Sequence, residues 1–311
     1  MMTFLVYAFK RLLLALPMLW LVLTVSFFLV RAAPGSPLDR DSELPAALKK
    51  SLAQQYGLDR PLLEQYVSFV KHAAVGDFGN SYIYRNRSVS AIIQEAFPIS
   101  ARLGILAMLF ALSVGLTLGV ISAFRQNTWI DHFIMASVVL GKSVPPMVLA
   151  PLFVAVFSVS LGLLPVAGWE SGTWQYVIGP VLCLGLYDIA AIARLLRGSV
   201  LDVMRQKYIV TARAKGLGEF RIIVIHILRE ALMPLVTYLA PALSSILVGT
   251  VIVEQVFNIP GLGRYLISGA INRDYTLVLG IATLASALVI GMNLLADMIL
   301  GLLDPRIRLQ A

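Results

Sequence analysis

The sequence has 311 residues, of which 59% are hydrophobic and only 14% charged, and its mean hydropathy is +0.83. Soluble domains usually contain about 45–50% apolar and about 25% charged residues. The composition therefore excludes a soluble enzyme, a disordered chain and a secreted disulfide-rich domain, and it predicts an all-α integral membrane protein. The formal charge of +8 is attributed to membrane topology, and no nucleic-acid partner is predicted.

Six apolar runs are long enough to cross a bilayer as helices, each of which needs about 20 residues. The runs lie at residues 12–30, 103–124, 133–164, 176–193, 231–253 and 276–296. The third run is interrupted by Lys142 and by Pro145-Pro146. The first run follows Lys10 and Arg11, as in a signal peptide, but it is longer than the apolar segment of a signal peptide. We therefore predict that it is retained as a membrane helix.

The positions of Lys and Arg in the short loops predict the orientation of the chain. Most of them lie on the side that also holds both termini, whereas the short loops of the opposite side hold only Arg264 and Arg273. Because positive loops stay in the cytoplasm, both termini are predicted to be cytoplasmic. The long segment 32–98 then lies outside, since long loops cross the membrane largely regardless of their charge.

Three regions follow from this topology. They are an N-terminal transmembrane helix (residues 1–31), an extracytoplasmic insertion (32–98) with two predicted helices (44–56 and 62–74), and a five-helix core (99–311). Within the core, the connection between the fourth and fifth spans, residues 194–230, is too polar to cross the bilayer and too long for a simple turn. It is predicted to carry structure of its own on the cytoplasmic side.

The sequence contains no motif that supports catalysis or metal binding on this chain. Gly141-Lys142-Ser143 resembles the end of a phosphate-binding loop, but Ala136 stands where that motif needs a glycine, and the segment lies in an apolar span. The histidines His72, His132 and His226 are scattered and lack the spacing of metal ligands. No catalytic residue, metal site or cofactor is therefore predicted on this chain.

Lys142 and Asp188 lie inside apolar spans, where each charge costs about 2.5–3.5 kcal/mol on insertion scales. Such residues normally face the interior of a helix bundle or an aqueous path. The two charges are interpreted as an ion pair between the third and fourth spans, as lining of the substrate path, or as a route for proton coupling. In the second span, Gly115 and Gly119 are spaced for close approach of another helix, although glycine is also simply common in membrane helices.

The inner connection contains a segment that can form a compact cytoplasmic knob. Residues 208–217 read Tyr-Ile-Val-Thr-Ala-Arg-Ala-Lys-Gly-Leu, in which Gly216 would end a short helix that carries small side chains. Small side chains on its exposed face would let this helix enter a groove of another protein. The composition favours equally a basic amphipathic helix that lies on anionic membrane lipid.

This segment resembles the signature cytoplasmic loop of the permease subunits of bacterial ATP-binding-cassette importers. The usual glutamate of that loop is replaced by Val210, as in the peptide-importer branch, where Thr-Ala-Arg-Ala-Lys-Gly is the usual form. Other motifs of the branch occur along the chain, at residues 31–37, 76–79, 97–98, 100–101, 260–263, 272–275 and 304–308. The chain is most similar to the first membrane subunit of oligopeptide permeases.

The resemblance implies a non-ATPase subunit of an importer in the bacterial inner membrane. It would form the path with a homologous second permease subunit, and an external binding protein would deliver oligopeptides. Two cassette ATPase subunits would bind ATP and Mg²⁺, and the coupling residues would dock into one of them. These residues are Thr211, Ala212, Arg213, Ala214, Lys215, Gly216 and Leu217. The alternatives are a stand-alone ion-coupled transporter, or an importer of the same family for dipeptides, nickel or glutathione.

Overall fold

The computed structural model describes residues 2–35, 46–84, 86–170, 173–249 and 251–303. Within these ranges the regular structure is helical, apart from an isolated bridge between Asn80 and Ser88. Five helices are long and apolar enough to cross a membrane, and a bent pair of helices makes a sixth span if it is counted as one. The all-α membrane fold expected from the composition is confirmed.

The first helix, α1 (Met2–Ala32), is longer than the predicted span and includes its basic start. Arg11 lies within α1 and pairs with Asp297 at 2.8 Å, which ties the start of the chain to its last helix. The insertion contains α2 (Ala46–Gln55) and α3 (Leu62–Ala74), close to the two predicted helices. Residues 36–45, which include the first two of the predicted helix 44–56 and the end of the 31–37 motif, lie outside the described ranges.

The second span belongs to α4 (Val89–Phe124), which begins inside the insertion. The Ser88 hydroxyl caps its N-terminus by accepting a hydrogen bond of 3.1 Å from the Ala91 amide, as a helix-capping serine does. Pro98 stands within α4, so the boundary expected at residue 98 falls inside a continuous helix. The insertion and the core are therefore joined rigidly through α4.

The third span is broken at the position where Pro145 and Pro146 predicted an interruption. Helix α5 (Trp129–Ser143) ends before Pro145, and α6 (Pro146–Phe153) continues as a π-helical segment, Val154–Ser160, at 96° to α5. A proline lacks the amide hydrogen that a continuing helix needs and disfavours helical geometry in the preceding residue. Consecutive prolines therefore account for the sharp bend.

The inner connection is built from the end of one long helix and several short ones. Helix α7 (Gln175–Met204) extends the fourth span well beyond its apolar part. It is followed by α8 (Lys207–Ala214) and then by α9 (Glu219–Arg221), the π-helical segment Ile222–Ile227 and α10 (Leu228–Ala231). The predicted structure within residues 194–230 is therefore present, and α8 coincides with the predicted coupling segment.

The last part of the chain contains two spans and a short helix between them. Helices α11 (Met233–Gly249) and α12 (Val251–Val256) cover the fifth span, and α14 (Tyr275–Leu303) forms the sixth. Between them lies α13 (Leu262–Ile271), where the sequence predicted only a loop. The motif at residues 304–308 lies outside the described ranges.

Helices α4 and α7 pack closely at the centre of the bundle. A Cβ atom at Gly115 would lie 2.8 Å from the Ile192 side chain, and one at Gly119 would lie 2.8 Å from the Ala193 carbonyl oxygen. The absence of these side chains lets α7 approach α4, which confirms the close-approach interpretation of the glycine pair. The insertion and α8 lie at opposite ends of this pair, because Val89 packs with the insertion end and Ala123 packs beside α8.

Candidate functional site

Helix α8 is short and presents a narrow apolar face to the rest of the protein. Ile209 is fully buried and Ala212 is 8% exposed, three residues apart and therefore on the same side of the helix. They belong to a group of buried residues that we call the α8 cluster. Its members are Ala123, Leu196, Val200, Ile209, Ala212, Ile222, Ile227 and Ala231. The cluster joins α8 to the ends of α4 and α7 and to the segment that leads into α11.

A specific turn ends α8 at Gly216. The Gly216 amide donates to the Arg213 carbonyl at 2.9 Å, and the Leu217 amide donates to the Ala212 carbonyl at 3.3 Å. This is a Schellman turn, whose residue after the C-cap adopts the left-handed conformation that glycine tolerates best, and Gly216 has φ of +77°. Leu217 packs against the α8 cluster, as the apolar residue after such a turn commonly does.

Two polar contacts hold α8 against the helices that follow it. The Tyr208 hydroxyl donates a hydrogen bond to the Glu230 carboxylate, and burial together with this contact raises the pKa of Tyr208 to about 12. Arg213 donates to Glu219 at 2.8 and 3.3 Å, and this bond lowers the pKa of Glu219. Both pairs are accessible to water, so they orient α8 more than they stabilise it.

The candidate coupling residues therefore divide into two sets. Thr211, Arg213, Ala214, Lys215 and Gly216 are exposed and form the outer surface of α8. Ala212 and Leu217 instead face the α8 cluster. The small side chain of Ala212 thus allows α8 to lie close to its own protein, whereas Ala214 supplies a small side chain on the accessible surface.

A buried ion pair next to the α8 cluster was missed in the sequence. Asp131 of α5 is 1% exposed and receives hydrogen bonds of 2.8 and 2.7 Å from Arg197 of α7. The Ser122 hydroxyl and the Asn127 backbone amide also donate to this carboxylate. A two-pronged bond of this kind fixes orientation as well as distance, so it locks α5 to α7. The available signal was an acidic residue in the first turn of an apolar helix.

Lys142 and Asp188 do not form a direct ion pair in the described part of the chain. Asp188 is 6% exposed and accepts a hydrogen bond of 2.7 Å from the Tyr238 hydroxyl of α11. The Lys142 ammonium lies 5.0 Å from the centre of the Tyr187 ring, in cation–π geometry. Tyr238, which the sequence did not single out, is therefore the direct partner of Asp188.

A second unpredicted carboxylate organises the 260–263 motif. Glu254 is fully buried and accepts from the Ser100 hydroxyl at 2.7 Å and from the Gly263 amide at 2.8 Å. The Ser100 hydroxyl in turn accepts from the Leu262 amide at 2.9 Å. These bonds satisfy amides in the first turn of α13 and join α12, α4 and α13. The sequence signal was a single acid at the end of an apolar run, just before the motif.

Asp274 joins the insertion to the last span. It is fully buried, and its carboxylate accepts from the Leu277 amide at 3.1 Å at the start of α14. The same carboxylate accepts from the Ser81 hydroxyl and from the Tyr82 amide, the latter at 3.1 Å. Asp274 thus caps α14 and holds the insertion onto it, a role that explains the chemistry of the 272–275 motif.

Comparison with known proteins agrees with this architecture. The family described as "Binding-protein-dependent transport system inner membrane component" matches residues 115–309. The chain is 43% identical over 302 residues to the oligopeptide transport system permease protein OppB of Haemophilus influenzae, and 40% identical to that of Escherichia coli strain K12. Each alignment covers 97% of this chain and 99% of the relative.

A dipeptide permease and a transporter of known structure are also similar to this chain. The dipeptide transport system permease protein DppB of Bacillus subtilis is 40% identical over 303 residues, covering 97% of this chain and 98% of the relative. An inward-facing structure of the MetNI methionine ABC transporter matches with a TM-score of 0.56 at 19% identity, covering 68% of this chain and 96% of that one, and it supports the fold alone. The chain belongs to the family of inner membrane components of binding-protein-dependent transport systems.

Proposed function

We propose that this chain is a permease subunit of an ATP-binding-cassette importer that carries oligopeptides. The proposal is supported by near full-length similarity to proteins named as oligopeptide permeases. The observation that carries the mechanism is α8, a short helix fixed on one side by a buried cluster and exposed on the other. A helix held in this way can transmit the motion of a bound partner to the membrane spans.

The exposed surface of α8 is the proposed contact for a cassette ATPase. Thr211, Ala214 and Gly216 present small groups that would fit a groove, while Arg213 and Lys215 supply positive charge at its rim. A second ATPase would bind the homologous permease subunit that completes the transport path. ATP and Mg²⁺ would be bound by these ATPase subunits and not by this chain.

Movement of α8 would reach the spans by two connections. The α8 cluster joins it to α4 and α7, and the pair between Asp131 and Arg197 extends this connection to α5. Closure of the ATPases would thus displace α4, α5 and α7 together. At the other end of α4, the insertion would lie outside the membrane, beside an external binding protein that delivers the peptide.

The first experiment is purification of the tagged chain from its native membranes in mild detergent, followed by mass spectrometry of the proteins that accompany it. We expect a second permease of similar size and cassette ATPases. A single species that stays single after cross-linking in the membrane would contradict the proposal. It would favour the ion-coupled transporter, with Lys142 and Asp188 as the next residues to test.

The substrate class is tested with the purified complex and its binding protein in proteoliposomes. Uptake of alanine peptides of increasing length is measured with ATP inside the vesicles or with a non-hydrolysable analogue. ATP-dependent uptake of peptides longer than two residues supports an oligopeptide importer. Uptake restricted to dipeptides, or competition by nickel or glutathione and not by peptides, would assign the chain to another branch.

A further inference from the structure

A cavity lies where the insertion meets the ends of α1 and α14. Its volume is about 320 Å³, enough for a small organic ligand. Phe27, Phe69 and Leu279 form part of its apolar wall, and Phe27 and Leu279 belong to the two spans. The cavity thus begins at the end of two membrane helices and extends into the polar insertion.

Positive charge and hydrogen-bond donors line the rest of this cavity. Arg31 and Arg60 both reach it, together with Tyr56 and Tyr82. The Arg31 guanidinium lies 4.9 Å from the centre of the Tyr275 ring and 5.5 Å from that of Phe27. Burial raises the pKa of Tyr82 to about 12, and its hydroxyl lies close enough to Arg31 for the two side chains to interact.

Two buried polar atoms of residues that line the cavity have no hydrogen-bond partner in the described part of the chain. They are the Nε atom of Arg31, a donor, and the Oε1 atom of Gln65, an acceptor. The amide nitrogen of Gln65 is occupied, since it donates to the Arg60 carbonyl at 2.7 Å, and this leaves the oxygen free to accept. Buried polar groups are almost always paired, so an unpaired donor and an unpaired acceptor on residues of one cavity favour a polar ligand there.

The acidic residue at the cavity does not neutralise these arginines by direct pairing. The Asp77 carboxylate accepts from the Gly79 amide at 2.9 Å within its own loop. In the described part of the chain, neither Arg31 nor Arg60 forms an ion pair with a carboxylate. An anion is therefore the ligand that complements this lining, because arginine binds oxyanions through several parallel hydrogen bonds.

We propose that the cavity binds a phosphate group that has a hydroxyl or ammonium group beside it. The phosphate oxygens would accept from Arg31, Arg60 and Tyr82, and the neighbouring donor would reach Gln65. This is the chemistry of a phospholipid headgroup and equally of a soluble phosphate ester such as glycerol phosphate. The site is separate from α8 and from the path charges, so it holds or fails independently of the transported substrate.

The test uses the complete detergent-purified complex after removal of lipid. Its thermal unfolding is measured with increasing phosphatidylglycerol, phosphatidylcholine, glycerol phosphate or trialanine. We expect phosphatidylglycerol or glycerol phosphate to raise the unfolding temperature in a saturable way, and phosphatidylcholine to do so less, because its quaternary ammonium has no hydrogen to donate to Gln65. Saturation by phosphatidylglycerol alone identifies a headgroup as the source, whereas saturation by glycerol phosphate identifies a soluble ester.

Variants show whether such binding occurs at this cavity. Arg31→Gln and Arg60→Gln are expected to weaken it at least tenfold. The matched control Arg264→Gln removes the charge of an exposed arginine that does not line the cavity, and it should change the affinity less than twofold. Arg60 is exposed and its carbonyl makes the contact with Gln65, so Arg60→Gln preserves the fold even where Arg31→Gln does not.

Three results would overturn the proposal. The first is the absence of a saturable effect of any phosphate ligand. The second is an effect that Arg264→Gln weakens as much as Arg60→Gln does, since that would reflect overall charge. The third is a dependence on Arg60 for trialanine but not for phosphate, which would assign the cavity to peptide carboxylates.

Discussion

The Tyr238 hydroxyl donates a hydrogen bond of 2.7 Å to the Asp188 carboxylate, so a buried charge of the fourth span is held by the fifth span. Lys142 contributes an attractive charge without direct contact. A hydrogen bond to a charged group contributes about 1.5–3 kcal/mol, so the Tyr238 hydroxyl supplies a substantial part of what stabilises this carboxylate. Tyr238 is therefore the residue to change in a test of how the Asp188 carboxylate is held within the membrane spans.

Tyr238→Phe is expected to destabilise the complex by about 1.5–3 kcal/mol, because it removes a hydrogen bond to a buried charged group. The measurement is denaturant unfolding of the purified complex in detergent. Tyr187→Phe is the matched control, since it removes a hydroxyl one residue from Asp188 and keeps the ring beneath Lys142. Equal effects of the two variants would show that the bond to Asp188 carries no special weight.

A pair of double-mutant cycles separates the two neighbours of Asp188. Asp188→Leu is combined with Tyr238→Phe in one cycle and with Lys142→Met in the other. The coupling energy should be about 1–2 kcal/mol for the contacting pair and smaller for the distant lysine. A larger coupling with Lys142 would restore the ion-pair interpretation of the two charges.

Substitutions at Gly216 test whether the turn that ends α8 is needed for stability and for transport. Gly216→Ala is expected to cost about 1 kcal/mol, because φ of +77° is strained for alanine even though space for a Cβ atom is open. Gly216→Pro should abolish transport with the subunit still in the membrane, since proline cannot adopt this φ or donate to Arg213. Gly198→Ala is the control: its Cβ also meets open space, but it lies within helix α7, so stability should not fall. Transport is measured as ATP-dependent uptake at equal expression, and wild-type uptake by Gly216→Pro would contradict the role of the turn.

The two alanines of α8 distinguish packing from docking. Ala212→Leu should destabilise the subunit by about 1–3 kcal/mol, since the extra atoms must enter the α8 cluster. Ala214→Leu places the same atoms on the exposed face, so it should change stability by less than about 0.5 kcal/mol and weaken ATPase binding. Both effects are followed by unfolding of the subunit and by co-purification of the ATPase. Loss of the ATPase with Ala212→Leu alone would mean that the exposed face is not the docking surface.

The sequence predicted the parts of the fold that depend on local chemistry. Apolar length located the spans, Pro145 and Pro146 marked the break in the third one, and Gly216 marked the end of α8. It could not identify contacts between distant segments, because one carboxylate in an apolar run has many possible partners. Asp131 and Glu254 were missed for this reason, although both are buried acids with several hydrogen bonds.

The inward orientation of Ala212 could not be predicted from the sequence either. An eight-residue helix of mixed composition has no strong apolar stripe, so its inward face is set by α4 and α7 and not by its own pattern. Small residues on both sides of α8 looked equivalent in the sequence. The tertiary contacts show that one serves internal packing, while the other is accessible to a partner.

The ion pair between Asp131 of α5 and Arg197 of α7 predicts that a single substitution strongly lowers stability. Asp131→Asn leaves Arg197 without its carboxylate in a mostly buried site, so we expect the free energy of unfolding to fall by about 2–3 kcal/mol. This is less than for a fully buried pair, because a quarter of the Arg197 side chain is exposed. Asp202→Asn is the control, an exposed acid further along α7. Unfolding of the purified subunit measures both, and a neutral Asp131→Asn would show that the pair does not hold the helices together.

The attachment of the insertion rests on Asp274, so Asp274→Ala should release it locally. The change removes the cap of α14 and leaves the Tyr82 amide and the Ser81 hydroxyl without their acceptor, a loss expected to reach at least about 2 kcal/mol. Limited proteolysis of the intact complex should then cut the insertion faster while the spans stay protected, because helix packing at the α8 end does not involve Asp274. Asp59→Ala removes an exposed acid of the same insertion and should leave the cleavage rate unchanged. If both variants are cut at the wild-type rate, other contacts hold the insertion, and the packing of Val89 with Leu277 becomes the next one to examine.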